Sequence, residues 1–213
     1  MIEIKICGIK ALEEIESLNI LKPDYAGFIF TESKRKIDLN DAEKLILKLD
    51  KKIKRVGVFR NNSLEDIISV LNKVDLDVVQ LHGDEDLNFI DTLKRKIDKN
   101  ILIFKAFSVE ESYNIKTFIN DSLFINIDKI IIDGQVPGSG KAYNINKLSN
   151  LVNDIREKTS FFLSGGLNPE NVVSRIKKVY PSGVDISSGV EGENYIKSYE
   201  KMKKLIDNVR ALN

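Results

Sequence analysis

The chain of 213 residues carries one cysteine, one histidine and no tryptophan. One cysteine cannot close an internal disulfide, so the fold stands without a covalent brace, which fits a reducing, cytoplasmic setting. With so few Cys and His there is no zinc-type ligand cluster, and no metal site of the usual N/S type is expected. A Ser-His-Asp triad is open only through His82. An excess of one charge is also lacking. Lys and Arg number 33 against 32 Asp and Glu, a net charge of +1, so bulk attraction gives no reason to expect nucleic acid or a membrane as partner. No apolar run approaches the roughly 20 residues of a membrane span. The N-terminus reads directly as a strand with no signal peptide before it. No linker or low-complexity stretch divides the sequence, so residues 1–213 read as one domain.

What is present is a rhythm of short β-branched or aromatic runs, each followed by a turn and a helical pattern. The runs are Ile2–Cys7, Tyr25–Phe30, Lys54–Phe59, Val78–Leu81, Ile101–Phe107, Ile130–Asp133, Phe161–Leu163 and Gly183–Ile186. Between them, Leu39–Leu49 and Leu64–Val74 carry apolar residues at helical spacing. Ser63 and Asp41 read as cap or first-turn residues. Asn168-Pro169-Glu170 reads as a helix start with Pro169 at the first position, and Tyr195–Val209 as the last helix. The stretch after Phe107 is a poorer helix, interrupted by Asn114, Thr117 and Asn120. Eight alternating units argue for parallel βα packing and an α/β fold, a single-domain (β/α)8 TIM barrel. A doubly wound sheet ranks behind it, because no G-x-G-x-x-G follows the first strand.

Barrel enzymes work at the C-terminal ends of their strands. Here those ends are polar and glycine-rich. The loops after strands seven and eight hold Ser164-Gly165-Gly166 and Asp185-Ile186-Ser187-Ser188-Gly189. Glycines let backbone amides approach phosphate oxygens, and a helix N-terminus adds positive potential, so these loops read as a phosphate cradle. The alternative is that the glycines only form tight turns. Gly138-Ser139-Gly140-Lys141, after strand six, reads equally as a lid, an anion contact or a plain flexible loop.

Cys7 and Asp133 end strands one and six. A thiol and a carboxyl across a small mouth could serve as general base and general acid, and a cation beside the thiol would give it thiolate character. If Cys7 points inward, parity puts Lys5 and Glu3 inward too, with Ile131 and Asp133 on strand six and Asp185 on strand eight. Lys105 is a further charge within strand five. The expectation is a charged interior in which Lys5 and Lys105 pair with Glu3, Asp185 or both, since unpaired charges there are too costly. By the same parity His82 points with Gln80 toward the mouth, as a ligand contact or as hydrogen-bonded scaffolding. Phe30, Phe59 and Phe107 either wall an aromatic ligand ring or form the upper core.

Lys5-Ile6-Cys7-Gly8, Gln80-Leu81-His82-Gly83, Ser164-Gly165-Gly166-Leu167-Asn168-Pro169-Glu170-Asn171 and Asp185-Ile186-Ser187-Ser188-Gly189-Val190-Glu191 occur in an order that resembles the phosphoribosylanthranilate isomerases. The resemblance runs from Ile4 to about Lys204. It implies a cofactor-free isomerase of tryptophan biosynthesis, binding a small phosphorylated substrate, as a monomer or homodimer. It implies Asp133 as the general acid that opens the sugar ring and Cys7 as the base that takes the C2 proton. Covalent catalysis by Cys7 is the alternative. Arg35 would hold the substrate carboxylate, a group that suits a guanidinium fork. The segment Thr31–Arg35 lacks the proline usual in that family, which keeps Lys34 and Lys36 open as alternatives. Gln80, His82, Gly165, Gly166, Asp185, Ser187, Ser188 and Gly189 would complete the binding set. Two other readings compete. One is another phosphate-binding barrel enzyme, such as indole-glycerol-phosphate synthase. It fits less well because strand one starts at Ile2 and Cys7 stands where a lysine would be expected. The other is a noncatalytic phosphate-ligand binder, which would have no need of both Cys7 and Asp133.

Overall fold

The computed structural model describes residues 1–108, 112–134 and 152–212, without the side chains of 112–114. Eight parallel strands close into a barrel in sequence order. They are β1 (Glu3–Cys7), β2 (Tyr25–Ile29), β3 (Lys54–Phe59), β4 (Val78–Leu81), β5 (Leu102–Ser108), β6 (Lys129–Asp133), β7 (Phe161–Ser164) and β8 (Gly183–Ile186). Around them run α1 (Leu12–Leu21), α2 (Leu39–Ile46), α3 (Leu64–Lys73), α4 (Leu87–Lys96), α5 (Ser112–Asn120), α6 (helical at 152–156), α7 (Val172–Val179) and α8 (Tyr199–Arg210). No described helix is long and apolar enough to cross a membrane. The segment Gly138-Ser139-Gly140-Lys141 lies outside the described residues.

Strand alternation sorts the side chains into two cores. Cys7, Tyr25, Val56, Val58, Val78, Phe104, Ala106, Ile131 and Phe162 fill the barrel. Tyr25, Phe104 and Phe162 pack with ring centroids 5.6–5.9 Å apart. The larger outer core lies between strands and helices. Phe30, Phe59 and Phe107 belong to it, with Phe30 stacked on Phe59 and Phe107 edge-on to Phe118. They are core residues rather than a ligand wall, because each falls on the outward parity of its strand.

The N-terminal rim is stitched in pairs of strands. Asp24 accepts the Ile4 amide at 2.8 Å, Asp77 the Arg55 amide at 2.7 Å and Asp128 the Ile103 amide at 2.7 Å. The Ser182 hydroxyl donates to the Phe161 carbonyl at 2.7 Å. Each sits just before an even-numbered strand and reaches back to the odd one, satisfying strand-end groups that would otherwise be exposed.

Local chemistry sets most helix starts. Asp38, Ser63, Asp86 and Ser198 each accept an amide of the first turn. Asp41 is a first-turn residue and Asp38 the cap. Three expected boundaries shift. The expected Leu39–Leu49 helix ends at Ile46. After Asn168 the chain makes a turn in which Asn168 Oδ1 accepts the amides of Glu170 and Asn171, and α7 begins only at Val172. The last helix starts at Tyr199 rather than Tyr195, because Asn194 and Tyr195 hold positive φ and Ser198 caps the first turn of α8.

The buried charges divide differently from expectation. Lys5 pairs with Asp185 inside the barrel at 2.8 Å. Glu3 takes Lys129 and the Tyr25 hydroxyl at the rim. Lys105 pairs with neither. Its neighbours Phe104 and Ala106 point inward, so Lys105 points outward and reaches Glu85 at 3.1 Å and the Gly83 carbonyl at 2.6 Å. Glu85 also accepts the amides of Asn61 and Gly83, so one carboxylate ties the loops after β3 and β4 to β5. Lys105→Met would leave the Glu85 charge buried without its cation and is expected to cost about 3 kcal/mol in urea unfolding. Adding Glu85→Gln is expected to recover most of that loss. A double variant no more stable than the single one would show that the pair is not what holds these loops.

Candidate active site

Cys7 is buried at the top of β1, on the inner face. The register of β1 with β8 sets Lys5 beside Asp185, and the charge of the Lys5 ammonium acts on the Cys7 thiol. Gly27 on β2 makes this possible. A Cβ there would stand 2.8 Å from the Cys7 sulfur and 3.2 Å from the Lys5 nitrogen, so any side chain would displace one or the other. Burial alone would drain charge from Lys5, but Asp185 and Cys7 outweigh it and hold the ammonium above its usual range. Burial pushes the thiol up, Lys5 pulls it down and Asp185 pushes it up again, for a net rise. The expected cation is present. It does not lower the thiol below its ordinary value.

Asp133 ends β6 on the inner face, with His82 Nε2 3.7 Å from its Oδ2. Gln80 lies fully buried beneath and donates from Nε2 to His82 Nδ1 at 3.1 Å. His82 is thus both supported scaffolding and a neighbour of the candidate acid. Gln80 reaches the mouth through it. Gln80 Oε1 is buried with no partner among the described residues.

Across the mouth, Gly165 and Gly166 hold φ of 87° and 65°, and Asn171 Nδ2 donates to the Gly166 carbonyl at 2.9 Å. The two loops touch at Gly189, where a Cβ would fall 1.8 Å from the Leu167 carbonyl oxygen. Only glycine fits that contact. The amides of Gly166, Ser188 and Gly189 meet no acceptor among the described residues, as a cradle for an anion requires. Asp185, expected to touch ligand, is almost fully buried and commits Oδ1 to Lys5. The Ser187 carbonyl accepts from Lys197 Nζ at 3.3 Å.

Arg35 lies over the β1 turn, so near that a Cβ on Gly8 would be 2.8 Å from its Cδ. Lys36 turns away to Glu32, and Lys34 sits above the Tyr195 ring. The Arg35 guanidinium is held by Glu191, from Nε at 2.5 Å and from Nη2 at 2.9 Å. Lys197, its side chain buried, meets Glu191 Oε1 at 2.6 Å. Burial would raise the Glu191 carboxyl, but Arg35 and Lys197 outweigh it and hold it below its usual range. Burial pulls Lys197 down, with Glu191 offsetting part of that. Sequence reasoning did not single out Glu191 or Lys197 as site residues. Glu191 closes the Asp185–Glu191 motif, but its partner Arg35 lies 156 residues away.

The closed barrel, the glycine cradle at its last two strand ends, and a thiol and a carboxyl at its mouth are those of the phosphate-binding (β/α)8 enzymes. Among these one family fits: the family model described as N-(5′-phosphoribosyl)anthranilate (PRA) isomerase matches residues 4–208. The N-(5′-phosphoribosyl)anthranilate isomerase of Clostridium beijerinckii is 45% identical, over 100% of this chain and 99% of its own. The crystal structure of the phosphoribosyl anthranilate isomerase of Thermotoga maritima superposes with a TM-score of 0.85 at 37% identity, covering 99% of this chain and 100% of that one. A phosphoribosyl anthranilate isomerase solved in complex with reduced 1-(o-carboxyphenylamino)-1-deoxyribulose 5-phosphate gives 0.82 at 35% identity, with coverage of 99% and 100%. The chain belongs to the phosphoribosylanthranilate isomerase family.

With its thiol held up by burial, ligand-free Cys7 is expected to be alkylated by iodoacetamide at a rate that still climbs as pH passes its ordinary value of 9.0. Only the thiolate reacts, so the rate levels off where the thiol has titrated. A plateau near neutrality would show that Lys5 dominates over burial.

Proposed function

We propose that Cys7 and Asp133 perform the reaction of this family as general base and general acid. The chain is an enzyme that converts N-(5′-phosphoribosyl)anthranilate to 1-(2-carboxyphenylamino)-1-deoxyribulose 5-phosphate, a step of tryptophan biosynthesis. The observation that carries the assignment of roles is the rim itself. A thiol beside an ammonium ends β1 and a carboxyl beside an imidazole ends β6, both on the inner face of one mouth.

In this reading the substrate phosphate sits on the amides of Gly165, Gly166, Ser188 and Gly189, and the anthranilate carboxylate meets Arg35. Asp133 gives its proton to the furanose ring oxygen. The C1–O bond breaks toward that oxygen, and the nitrogen lone pair forms a cationic Schiff base at C1. Cys7 gives up its thiol proton to solvent as positive charge builds beside it and, as thiolate, takes the C2 proton, while the C2–H electron pair closes an enolamine. The C2 hydroxyl then gives its proton to the Asp133 carboxylate and the Cys7 thiol protonates C1, which gives the ketone with Asp133 again protonated; the Cys7 thiolate recovers a proton from solvent on product release.

The raised thiol fits this order. Lys5 is the standing counter-ion of the thiolate, and the Schiff base adds a second positive charge near Cys7 when the base is needed. Asp185 supports the step by keeping Lys5 charged and aimed. His82, steadied by Gln80, borders the acid. Ser187 serves the binding set through Lys197.

The test monitors anthranilate-type fluorescence on substrate generated in situ. Rapid loss is expected with wild type. Removing either proton-transfer group is expected to lower kcat by roughly 10²–10⁴-fold in Cys7→Ser and in Asp133→Asn. Turnover that survives Cys7→Ala would refute the thiol as base.

A further inference from the structure

We propose that Glu191 is a positioning residue for substrate recognition: it grips one edge of Arg35 so that the other edge is presented to the substrate carboxylate. A guanidinium has two edges that can each bind a carboxylate through parallel N–H bonds. Glu191 takes the side-on edge, through Nε and Nη2. The end-on edge, formed by Nη1 and the second hydrogen of Nη2, meets no acceptor among the described residues. That edge has the geometry a planar aryl carboxylate needs.

Arg35 is restrained on its other sides as well. Its aliphatic stem lies on the bare Gly8 backbone, and the Tyr195 ring faces its guanidinium at 5.6 Å. Glu191 is in turn fixed. Lys197 Nζ holds Oε1 at 2.6 Å, and the Lys197 amide is held by the buried carboxylate of Glu14 at 2.8 Å. Glu14 also caps the first turn of α1 through the amides of Lys10 and Ala11. The aim of Arg35 is therefore set by β1, α1 and the loop between β8 and α8 together.

This rests on the reading that Arg35 binds the substrate carboxylate, and the test separates the two. Calorimetric titration would compare reduced 1-(o-carboxyphenylamino)-1-deoxyribulose 5-phosphate with its phenylamino counterpart lacking the carboxyl group. Glu191→Gln is close in shape and removes the charge. It is expected to weaken the carboxylate ligand about tenfold, the loss of one charge-assisted hydrogen bond. The counterpart should change less than twofold. In steady state KM should rise with kcat nearly unchanged. Glu191→Asp keeps the charge but withdraws one methylene, so it should fall between wild type and Glu191→Gln, and it provides the test should Glu191→Gln not fold. Equal weakening of both ligands by the Glu191 variants would overturn the positioning role. So would tighter binding of the carboxylate ligand, which would make Glu191 a competitor for Arg35. Arg35→Ala should discriminate between the two ligands. If it weakens both equally, the carboxylate role of Arg35 itself falls.

Discussion

The ion pair between Lys5 and Asp185 lies at the seam where β8 meets β1, and the site depends on it. It is part of barrel closure and also the electrostatic floor beneath Cys7. Neither charge would be tolerable alone at that depth. Paired, they place a fixed ammonium against a thiol in a space kept open by Gly27. The outcome is a contest of magnitudes. Burial and Asp185 raise the thiol more than Lys5 lowers it, so the resting group is a guarded thiol rather than a standing thiolate. As the proposed base, it would be called on when positive charge develops in the substrate beside it.

The same economy of buried charge recurs around the rim. Glu85 joins Lys105 to two backbone amides. Glu14 joins three amides from two loops. Glu191 joins Arg35 to Lys197. In each case one carboxylate satisfies several donors from different parts of the chain. Such networks are costly when incomplete and rigid when complete, and rigidity is what a site built on loops lacks by default. Below, the strand pairs stitched by Asp24, Asp77, Asp128 and Ser182 keep the opposite rim closed without touching the chemistry.

Much of this was legible in the chain. Eight β-branched runs at regular spacing gave the strand order, and period-two alternation placed Cys7, Lys5, Ile131 and Asp185 inside. Lys105 shows where the reading ran out. It was expected in the interior because it is a charge within a strand, but its inward neighbours Phe104 and Ala106 put it on the other face. The helix after Asn168 started late because an Asn side chain built a turn first. The last helix was over-extended for a related reason. Apolar spacing continued through Tyr195, while the backbone there turned left-handed.

The sequence by itself determined which chemical groups stand at the strand ends and in what order around the mouth, since parallel strands joined by short crossovers can close in few ways. It also carried the motifs that mark the family. Only the tertiary structure decided which of those groups are joined. Glu191 found Arg35 and Lys197, Lys105 found Glu85, and Gln80 came to rest under His82. The physical reason is one of scale. Alternation along a strand fixes the face a side chain takes, but a hydrogen bond forms only within about 3 Å. Where the ends of long side chains meet depends on barrel register, on the path of each loop and on whichever partner burial makes indispensable.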